Sequence, residues 1–229
     1  MEPWALDIIA GIDRKKTIVV DASKGIKFLS ISGEAEDAEE LTEEKEHGEE
    51  HCHNHGGKDP HFWTDFDNAK KMVDNIASAL AEKDPAEKDF YLKNADDYKA
   101  KLDLMDEDYR TTFDKRRSHT IIYAGHFALG YMAKRYGLKL ISPYKGFSPN
   151  SEPTPKRIAH LIKTMKEIGS KYVYHEELLE PRVAKVIAEQ TGAKILLLHG
   201  AHNVSKKEIE DGITYLDIMK TNLNNLKTA

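Results

Sequence analysis

Five of the chain's 11 histidines lie within 15 residues, a density that indicates metal chemistry. Imidazole is the side chain that most often binds metal ions in proteins, and a tract rich in His is typical of metal binding. Four of the five lie in an acidic, Gly-containing segment, and the fifth, His61, follows a Pro that fixes the backbone. The sequence therefore predicts a protein that captures a transition metal, with Zn²⁺ favoured, and does no chemistry on it.

The acidic segment at residues 33–58 is predicted to be a loop. Its metal-binding residue types are His47, His51, Cys52, His53 and His55. Large apolar residues nearly vanish from the segment, so it cannot bury enough surface to order itself, and we interpret it as a mobile loop that collects metal. An inert acidic linker is the alternative, although acidic charge alone does not require four His and a Cys.

The second half of the chain alternates between strand and helix patterns. Strands are predicted at 120–124, 139–143, 172–175 and 194–198, and helices at 127–136, 154–168, 182–191 and 213–227. Three of the helices are followed by Gly, the residue expected in a left-handed helix cap. Four strands alternating with helices predict an α/β fold with a mostly parallel sheet covered on both faces.

Candidate metal ligands follow the predicted strands. In open α/β sheets, ligands bind at the carboxyl ends of the strands. His126 stands two residues past the first strand, Glu176 directly follows the third, and His199 directly follows the fourth, with His202 three residues further on. Each His taken singly is better explained as a packed or exposed side chain. Their joint placement with His61 predicts one metal site built from His61, His126 and either His199 or His202.

A nitrogen-rich ligand set favours Zn²⁺ over Mn²⁺, which prefers carboxylate and water oxygens. A tetrahedral Zn²⁺ at ~2.0–2.1 Å from each nitrogen fits best, with Glu176, water or a loop His as the fourth donor. Cu²⁺ is expected to bind at least as well in vitro.

Three units are predicted along the chain. Residues 1–83 form a partial N-terminal lobe that contains the loop, a helix at 66–83 and too few strands for a sheet of its own. Residues 84–118 form one long helix, and residues 119–229 form the C-terminal α/β lobe. Apolar residues of the long helix recur in alternating steps of four and three, and its length of ~45–50 Å suits a rod between two lobes. A coiled-coil partner is the alternative.

Bulk composition excludes several classes of protein. The 40 % apolar and 32 % charged content is that of a soluble globular chain, and the net charge of −5 argues against nucleic acid or an anionic membrane as partner. One Cys excludes an internal disulfide. No apolar stretch approaches the ~20 residues of a membrane helix, and the N-terminus shows no signal peptide.

Several motifs resemble one known family. They are Asp-Pro-His-Phe-Trp at 59–63 with Asn68-Ala69, the stretch 123–138 around His126, the segment around Glu176, and the stretch 215–223. Together they resemble the zinc/manganese-binding receptors of metal ABC importers, the cluster 9 or A-I solute-binding proteins. The similarity covers essentially the whole chain, and the separation of the two His motifs (126 − 61 = 65) is close to that of the family.

The resemblance implies two α/β lobes with parallel sheets, joined by one long rigid helix, with the metal held between the lobes. It implies that His61 and His126 are ligands and that the acidic His-rich insertion is similar to the loop of zinc-type members. It also implies an ABC-type permease as partner and a periplasmic or cell-surface location.

The sequence departs from the family pattern at two ligand positions. The family's first His ligand lies upstream of Met1, so the N-terminal lobe is expected to be incomplete, either because the chain is a fragment or because its site has fewer ligands. The family's Asp after the last strand matches His199 by distance, with His202 as the alternative. An incomplete sheet leaves an exposed edge, which makes a homodimer through this lobe plausible.

Two other functions are alternatives to a metal receptor. A metal buffer without a permease partner needs the same ligands, and sequence does not separate it from a receptor. A zinc hydrolase would use three His and Glu176 as general base, but the His-Glu-x-x-His and Gly-x-Ser-x-Gly motifs are absent. The chain is therefore predicted not to be an enzyme.

Overall fold

The computed structural model describes residues 4–30, 57–116, 118–126, 128–144 and 152–229. The first half contains α1 (Trp4–Ala10), α2 (Phe66–Lys83) and α3 (Lys88–Asp114), with single 3₁₀ turns at Phe62–Thr64 and Pro85–Glu87. The second half contains β1 (Thr120–Ile122), α4 (Gly130–Tyr136), β2 (Lys139–Ile141), α5 (Pro155–Glu167), β3 (Tyr172–His175), α6 (Arg182–Thr191), β4 (Lys194–Leu197), α7 (Lys206–Glu210) and α8 (Tyr215–Thr228). Within the described ranges, no helix has both the length and the hydropathy needed to cross a membrane.

The four strands lie side by side and parallel. β1 pairs with β2, and β3 pairs with β4. A bridge between Tyr123 and Tyr174 joins the two pairs, with the Ala124 amide donating to the Tyr174 carbonyl at 2.7 Å. The strand order is therefore β2-β1-β3-β4, and the chain changes direction between β1 and β3. This gap is the topological switch point, where α/β sheets bind their ligands.

Alternate residues of β1 and its extension enter two different cores, as the two-residue period of a strand requires. Ile121 and Tyr123 pack in a large cluster that includes side chains of α2, α3, α4 and α8. Ile122 and Ala124 pack in a second cluster with α5 and α6. Both faces of the sheet are covered by helices, which confirms the predicted α/β class with parallel strands.

The long helix α3 contains 27 residues, so it spans about 40 Å, somewhat less than predicted because residues 85–87 form a 3₁₀ turn. Leu102, Tyr109 and Phe113 are buried along it. The Tyr109 hydroxyl donates to the Met219 carbonyl of α8 at 2.8 Å, and α3 also packs extensively against α2. Its role as a rod between two lobes stays a prediction.

The β-branched runs at 17–21 and 26–31 form no strand within the described residues. The last described residue of the second run, Ser30, makes one antiparallel bridge with Lys58, and the Asp59 amide donates to the Leu29 carbonyl at 2.9 Å. A β-branched run becomes a strand only where a neighbour supplies ladder hydrogen bonds. The described first half contains no such neighbour, as the predicted shortage of strands implied.

Several predicted boundaries shift, and one helix was missed. The helix predicted at 127–136 begins at Gly130, and three strands are shorter than predicted. The missed helix is α7, whose N-cap Ser205 forms a capping box with Glu208. The pattern Ser-x-x-Glu is a known helix-start signal, so local sequence contained the information needed to find α7.

Candidate metal centre

His61 lies at the start of the 3₁₀ turn Phe62–Thr64 and is buried. Asp59 Oδ1 lies 2.8 Å from the His61 backbone amide and 2.8 Å from its Nδ1. Because an ionised carboxylate only accepts hydrogen bonds, Nδ1 of the neutral ring must carry the proton. Nε2 is then the nitrogen with a basic lone pair, and a carboxylate on the opposite ring nitrogen is the usual support of a metal-binding His.

His126 lies at the switch point of the sheet, just after β1. Glu176, which follows β3, places Oε1 2.8 Å from the His126 Nδ1, so this ring has the same protonation pattern as that of His61. The ring packs against Tyr144 at 4.6 Å between centroids. Its Nε2 is buried and has no hydrogen-bond partner among the described residues. A buried unpaired lone pair costs about 1–3 kcal/mol, and a transition metal ion is a group that fits it.

Tyr144, which packs against His126, also affects the charge of the site. Burial, followed by the charges of Glu152 and Glu176, raises the pKa of the Tyr144 hydroxyl to about 12. The phenol therefore stays neutral at physiological pH and adds no charge beside His126.

His202 lies in the turn after β4, and its ring contacts the rings of both His61 and Trp63. The ring centroids are separated by 5.4 Å for His61–Trp63, 5.8 Å for Trp63–His202 and 5.7 Å for His61–His202. The Trp63 indole donates to the Gly200 carbonyl at 2.9 Å, and the Tyr215 hydroxyl donates to the Trp63 carbonyl at 2.8 Å. The Asp-Pro-His-Phe-Trp motif is thereby held against the turn that contains His202.

His199 is more deeply buried and differs from the other histidines in its hydrogen bonds. Its backbone amide donates to Asn222 Oδ1 and its carbonyl accepts from Asn222 Nδ2, both at 2.8 Å. Its Nδ1 lies 2.9 Å from the Ala201 amide, which donates to it, and 3.5 Å from Glu177 Oε2. With Nδ1 accepting from the amide, the proton of a neutral ring lies on Nε2. That nitrogen is 3.9 Å from Glu208 Oε1 and, like the Nε2 of His126, is buried with no hydrogen-bond partner among the described residues. In this tautomer, however, it carries a proton and offers no lone pair.

Helix α4 connects the two His segments. Its Tyr131 hydroxyl donates to the Asp59 carbonyl at 2.8 Å and accepts from the Leu29 amide at 2.9 Å. One turn later, Arg135 is surrounded by carboxylates of α2, α3 and the residue before α2. Because α4 begins shortly after His126, these contacts fix the segment of His61 relative to the segment of His126.

Arg135 makes an ion-pair network of four charged groups. It reaches Asp106 at 2.6 and 2.8 Å, Asp67 at 2.7 Å and Asp65 at 3.2 Å. The hydrogen bond from Arg135 is the largest cause of the lowered pKa of Asp67, which falls to about 2. Burial raises the pKa of Asp106, but hydrogen bonds from Arg135 and Tyr136 outweigh burial, so the net shift is downward.

The structure brings the predicted ligands together as two pairs, His61 with His202 and His126 with Glu176. In the described part of the chain, no three His, Cys, Asp or Glu side chains are already grouped around one point that could hold an ion. The predicted metal-collecting loop lies almost entirely outside the described residues. All four of its His and its Cys belong to residues 31–56, which are not described.

Sequence reasoning missed the residues that support these histidines. Asn222 and Glu177 contact the turn after β4 from 23 or more residues away, and no local pattern signals such a pairing. Asp59 was visible as part of a motif, and its position two residues before His61 could have indicated its role.

The entire chain, residues 1–229, matches the family described as zinc-uptake complex component A, periplasmic (ZnuA). The chain belongs to the ZnuA family. The resemblance inferred from the His motifs is therefore confirmed.

Three similar proteins illustrate the match. The high-affinity zinc uptake system protein ZnuA of Bacillus subtilis is 40 % identical over 229 residues, which are 100 % of this chain and 69 % of that protein. The zinc-binding protein AdcA of Streptococcus pyogenes serotype M18 is 34 % identical over 230 residues, 99 % of this chain and 44 % of AdcA. The crystal structure of the Zn(II)-bound ZnuA-like domain of Streptococcus pneumoniae AdcA has a TM-score of 0.74 and 26 % identity, and the match covers 100 % of this chain and 76 % of that one.

Membership of the ZnuA family also decides the class of function. A component of an uptake complex is a transport protein and not an enzyme, which confirms the prediction that this chain is not an enzyme and sets the hydrolase alternative aside. The chain spans less than half of the length of AdcA.

Proposed function

We propose that this chain is the metal receptor of a zinc importer, which captures Zn²⁺ outside the cytoplasm and delivers it to an ABC-type membrane permease. The observation that carries the proposal is the Nε2 of His126, which is buried with no hydrogen-bond partner among the described residues and is held in its metal-binding tautomer by Glu176. The description of the family as periplasmic, and of its B. subtilis member as a zinc uptake protein, supports the location and the cargo.

We propose His61, His126 and His202 as the ligands that this chain supplies. The first two direct a basic Nε2 away from a carboxylate. His202 is chosen over His199 because its ring lies beside that of His61, whereas the Nδ1 of His199 is occupied by the Ala201 amide. Metal binding at the His199 Nε2 would require the other tautomer and the loss of that hydrogen bond.

Zn²⁺ is the proposed ion because all three donors are imidazole nitrogens. Such donors suit zinc, whereas Mn²⁺ prefers oxygen ligands. A fourth donor completes the tetrahedral coordination that zinc usually takes in proteins. Glu176 is engaged with His126 Nδ1, so the fourth donor is proposed to be water or a group outside the described residues.

Partner assembly is proposed in two parts. Delivery to the permease requires a docked complex, and a pull-down with a candidate ABC-type zinc permease tests it directly. A homodimer through the N-terminal part stays a prediction: Leu6 and Ile8 of α1 are 62 % and 59 % exposed, and sedimentation equilibrium measures whether such a pair forms.

Calorimetric titration of the purified chain with Zn²⁺ tests the ligand set. One equivalent is expected to bind tightly, and replacement of His126 or His202 by Ala is expected to weaken binding by at least about 100-fold, since support groups alone contribute 10–100-fold. The matched control is His119→Ala, because His119 is exposed and no role is proposed for it. If His126→Ala binds Zn²⁺ as tightly as the control, the proposed site is wrong.

A further inference from the structure

Two adjacent glutamates follow β3 and point to two different histidine segments. Glu176 contacts His126. The side chain of Glu177 is only 10 % exposed and faces the turn after β4. Neighbouring residues of an extended chain project in opposite directions, so one dipeptide reaches both sides of the switch point. Glu177 is not among the metal ligands proposed above, so its burial beside this turn calls for another explanation.

Glu177 accepts hydrogen bonds from three backbone amides of the turn. Its Oε2 accepts from Gly200 at 2.8 Å, and its Oε1 accepts from His202 at 3.3 Å and from Asn203 at 3.4 Å. Bonds from amides to an ionised carboxylate are stronger than those between neutral groups. One carboxylate thus binds the backbone before His202, at His202 and after it.

The turn needs this support because its backbone is irregular. Ala201 has a φ of +53°, a left-handed conformation that residues with a Cβ rarely adopt. The Ala201 amide donates to His199 Nδ1, so two side chains accept all four consecutive amides from Gly200 to Asn203. These hydrogen bonds, together with the packing of Ala201 against the large core cluster, hold Ala201 in that conformation.

Trp63 contacts the same turn from the opposite side, through the Gly200 carbonyl. The amide and the carbonyl of Gly200 are therefore bound by Glu177 and by Trp63, respectively. The position of the His202 ring beside His61 depends on both contacts. Because both oxygens of Glu177 are used by backbone amides, its chemistry here is that of a support and not of a metal ligand.

We infer that Glu177 is a positioning residue: its carboxylate shapes the turn from Gly200 to Asn203 and so sets where His202 meets the metal. The inference rests on the proposed function for its link to zinc, whereas the shaping of the turn is a property of the metal-free protein. Its signature is an effect on metal affinity that requires His202 to be present.

The first experiment compares Glu177→Gln with the unmodified chain in Zn²⁺ calorimetry. Gln has nearly the same shape, but its amide nitrogen donates and cannot accept. Zn²⁺ affinity is expected to fall by about 10–100-fold, the usual effect of losing a group that orients a ligand. Glu180→Gln is the matched control, since Glu180 follows closely and pairs with the exposed side chains of Lys185 and Arg182. An affinity equal to that of the control overturns the inference.

The second experiment repeats the substitution in a His202→Ala background. If Glu177 acts through His202, Glu177→Gln then causes no further loss of Zn²⁺ affinity. An equal fold-loss in both backgrounds overturns the inference, because Glu177 would then act on another ligand, such as His126 through Glu176, or on the fold as a whole.

The third measurement needs no metal. In metal-free Glu177→Gln, one of the two oxygens that accept from the turn becomes a donor, so either the Gly200 amide or the His202 and Asn203 amides lose their acceptor. Amide hydrogen exchange is expected to accelerate at least about tenfold at the amides that lose it. Unchanged exchange overturns the inference, even if zinc binding has changed. A chain that binds no Zn²⁺ would refute the proposed function but leave the exchange test of Glu177 valid. If Glu177→Gln does not fold, Glu177→Asp, which keeps the charge but shortens the reach, is measured in the same way.

Discussion

Replacing Arg135 by Met tests whether one buried cation connects the first and second halves of the chain. The Arg135 side chain is only 8 % exposed, and that of its main partner Asp106 is 10 % exposed. Met keeps most of the apolar stem and removes the charge. Asp106 then loses two short hydrogen bonds, and Asp65 and Asp67 each lose the hydrogen bonds that Arg135 donates to them.

The magnitude follows from what remains. Breaking one side of a buried ion pair costs about 3–5 kcal/mol. Asp106 keeps a bond from the Tyr136 hydroxyl at 2.7 Å and a pair with the half-exposed Arg110 at 3.2 Å. The lower end, about 3 kcal/mol, is therefore expected, which for a chain of this size lowers Tm by about 6–12 °C.

Urea and thermal unfolding followed by circular dichroism measure this effect. Lys134→Met is the matched control, because Lys134 precedes Arg135 on the same helix and is exposed, and it should change stability by less than about 0.5 kcal/mol. The reasoning is refuted if Arg135→Met costs less than about 1 kcal/mol or no more than the control.

The pH dependence gives a second check on the same variant. Arg135 holds the pKa of Asp67 at about 2, below its usual 3.8, and contributes to the lowered pKa of Asp106. Groups with a depressed pKa stabilise the fold above their unfolded pKa, and this contribution is lost as pH falls toward the folded pKa. The stability difference between the unmodified chain and Arg135→Met should therefore shrink between pH 4 and pH 2. A difference that is constant over that range contradicts the assigned ion pairs.

Two further predictions concern packing and backbone. Leu102 is fully buried on α3, so Leu102→Ala should cost about 2–5 kcal/mol in urea unfolding; the exposed Leu104 of the same helix provides the control Leu104→Ala, and equal costs would contradict the placement of the core. Gly137 ends α4 with a φ of +62°, and no described atom lies within 4 Å of the position that a Cβ would take there. Gly137→Ala should therefore cost about 1–2 kcal/mol of stability from backbone strain alone. Gly11→Ala, where φ is not left-handed and Cβ contacts are ordinary, should cost nothing, and a similar loss at both glycines would contradict that explanation.

Local patterns were enough to predict most elements of the fold. The boundaries of α2, β3 and α6 agree with those predicted from periodicity and from the Gly that follows a helix. These signals depend on residues a few positions apart, so they are legible without tertiary structure. The runs at 17–21 and 26–31 were less informative, because β-branched residues form a strand only where a partner strand exists.

The histidine motifs were also visible in the sequence, but their roles were not. The sequence offers Glu176 as one of three candidates for the fourth metal donor, and the contact of its Oε1 with His126 Nδ1 at 2.8 Å is visible only in the structure. The choice between His199 and His202 could not be made from distance along the chain. Our proposal of His202 rests on two contacts: the Ala201 amide donates to His199 Nδ1, and the rings of His202 and His61 lie together beside Trp63.

The sequence by itself determined which segments are helices and strands and which histidines stand at their ends, since periodicity, caps and motifs are local. Only the tertiary structure decided the strand order β2-β1-β3-β4, the contact of Glu176 with His126 and the hydrogen bonds of Glu177 to the turn that contains His202. The physical reason is that these features arise from hydrogen bonds between groups 23 to 152 residues apart, and no short-range pattern specifies which distant partner a polar group will find.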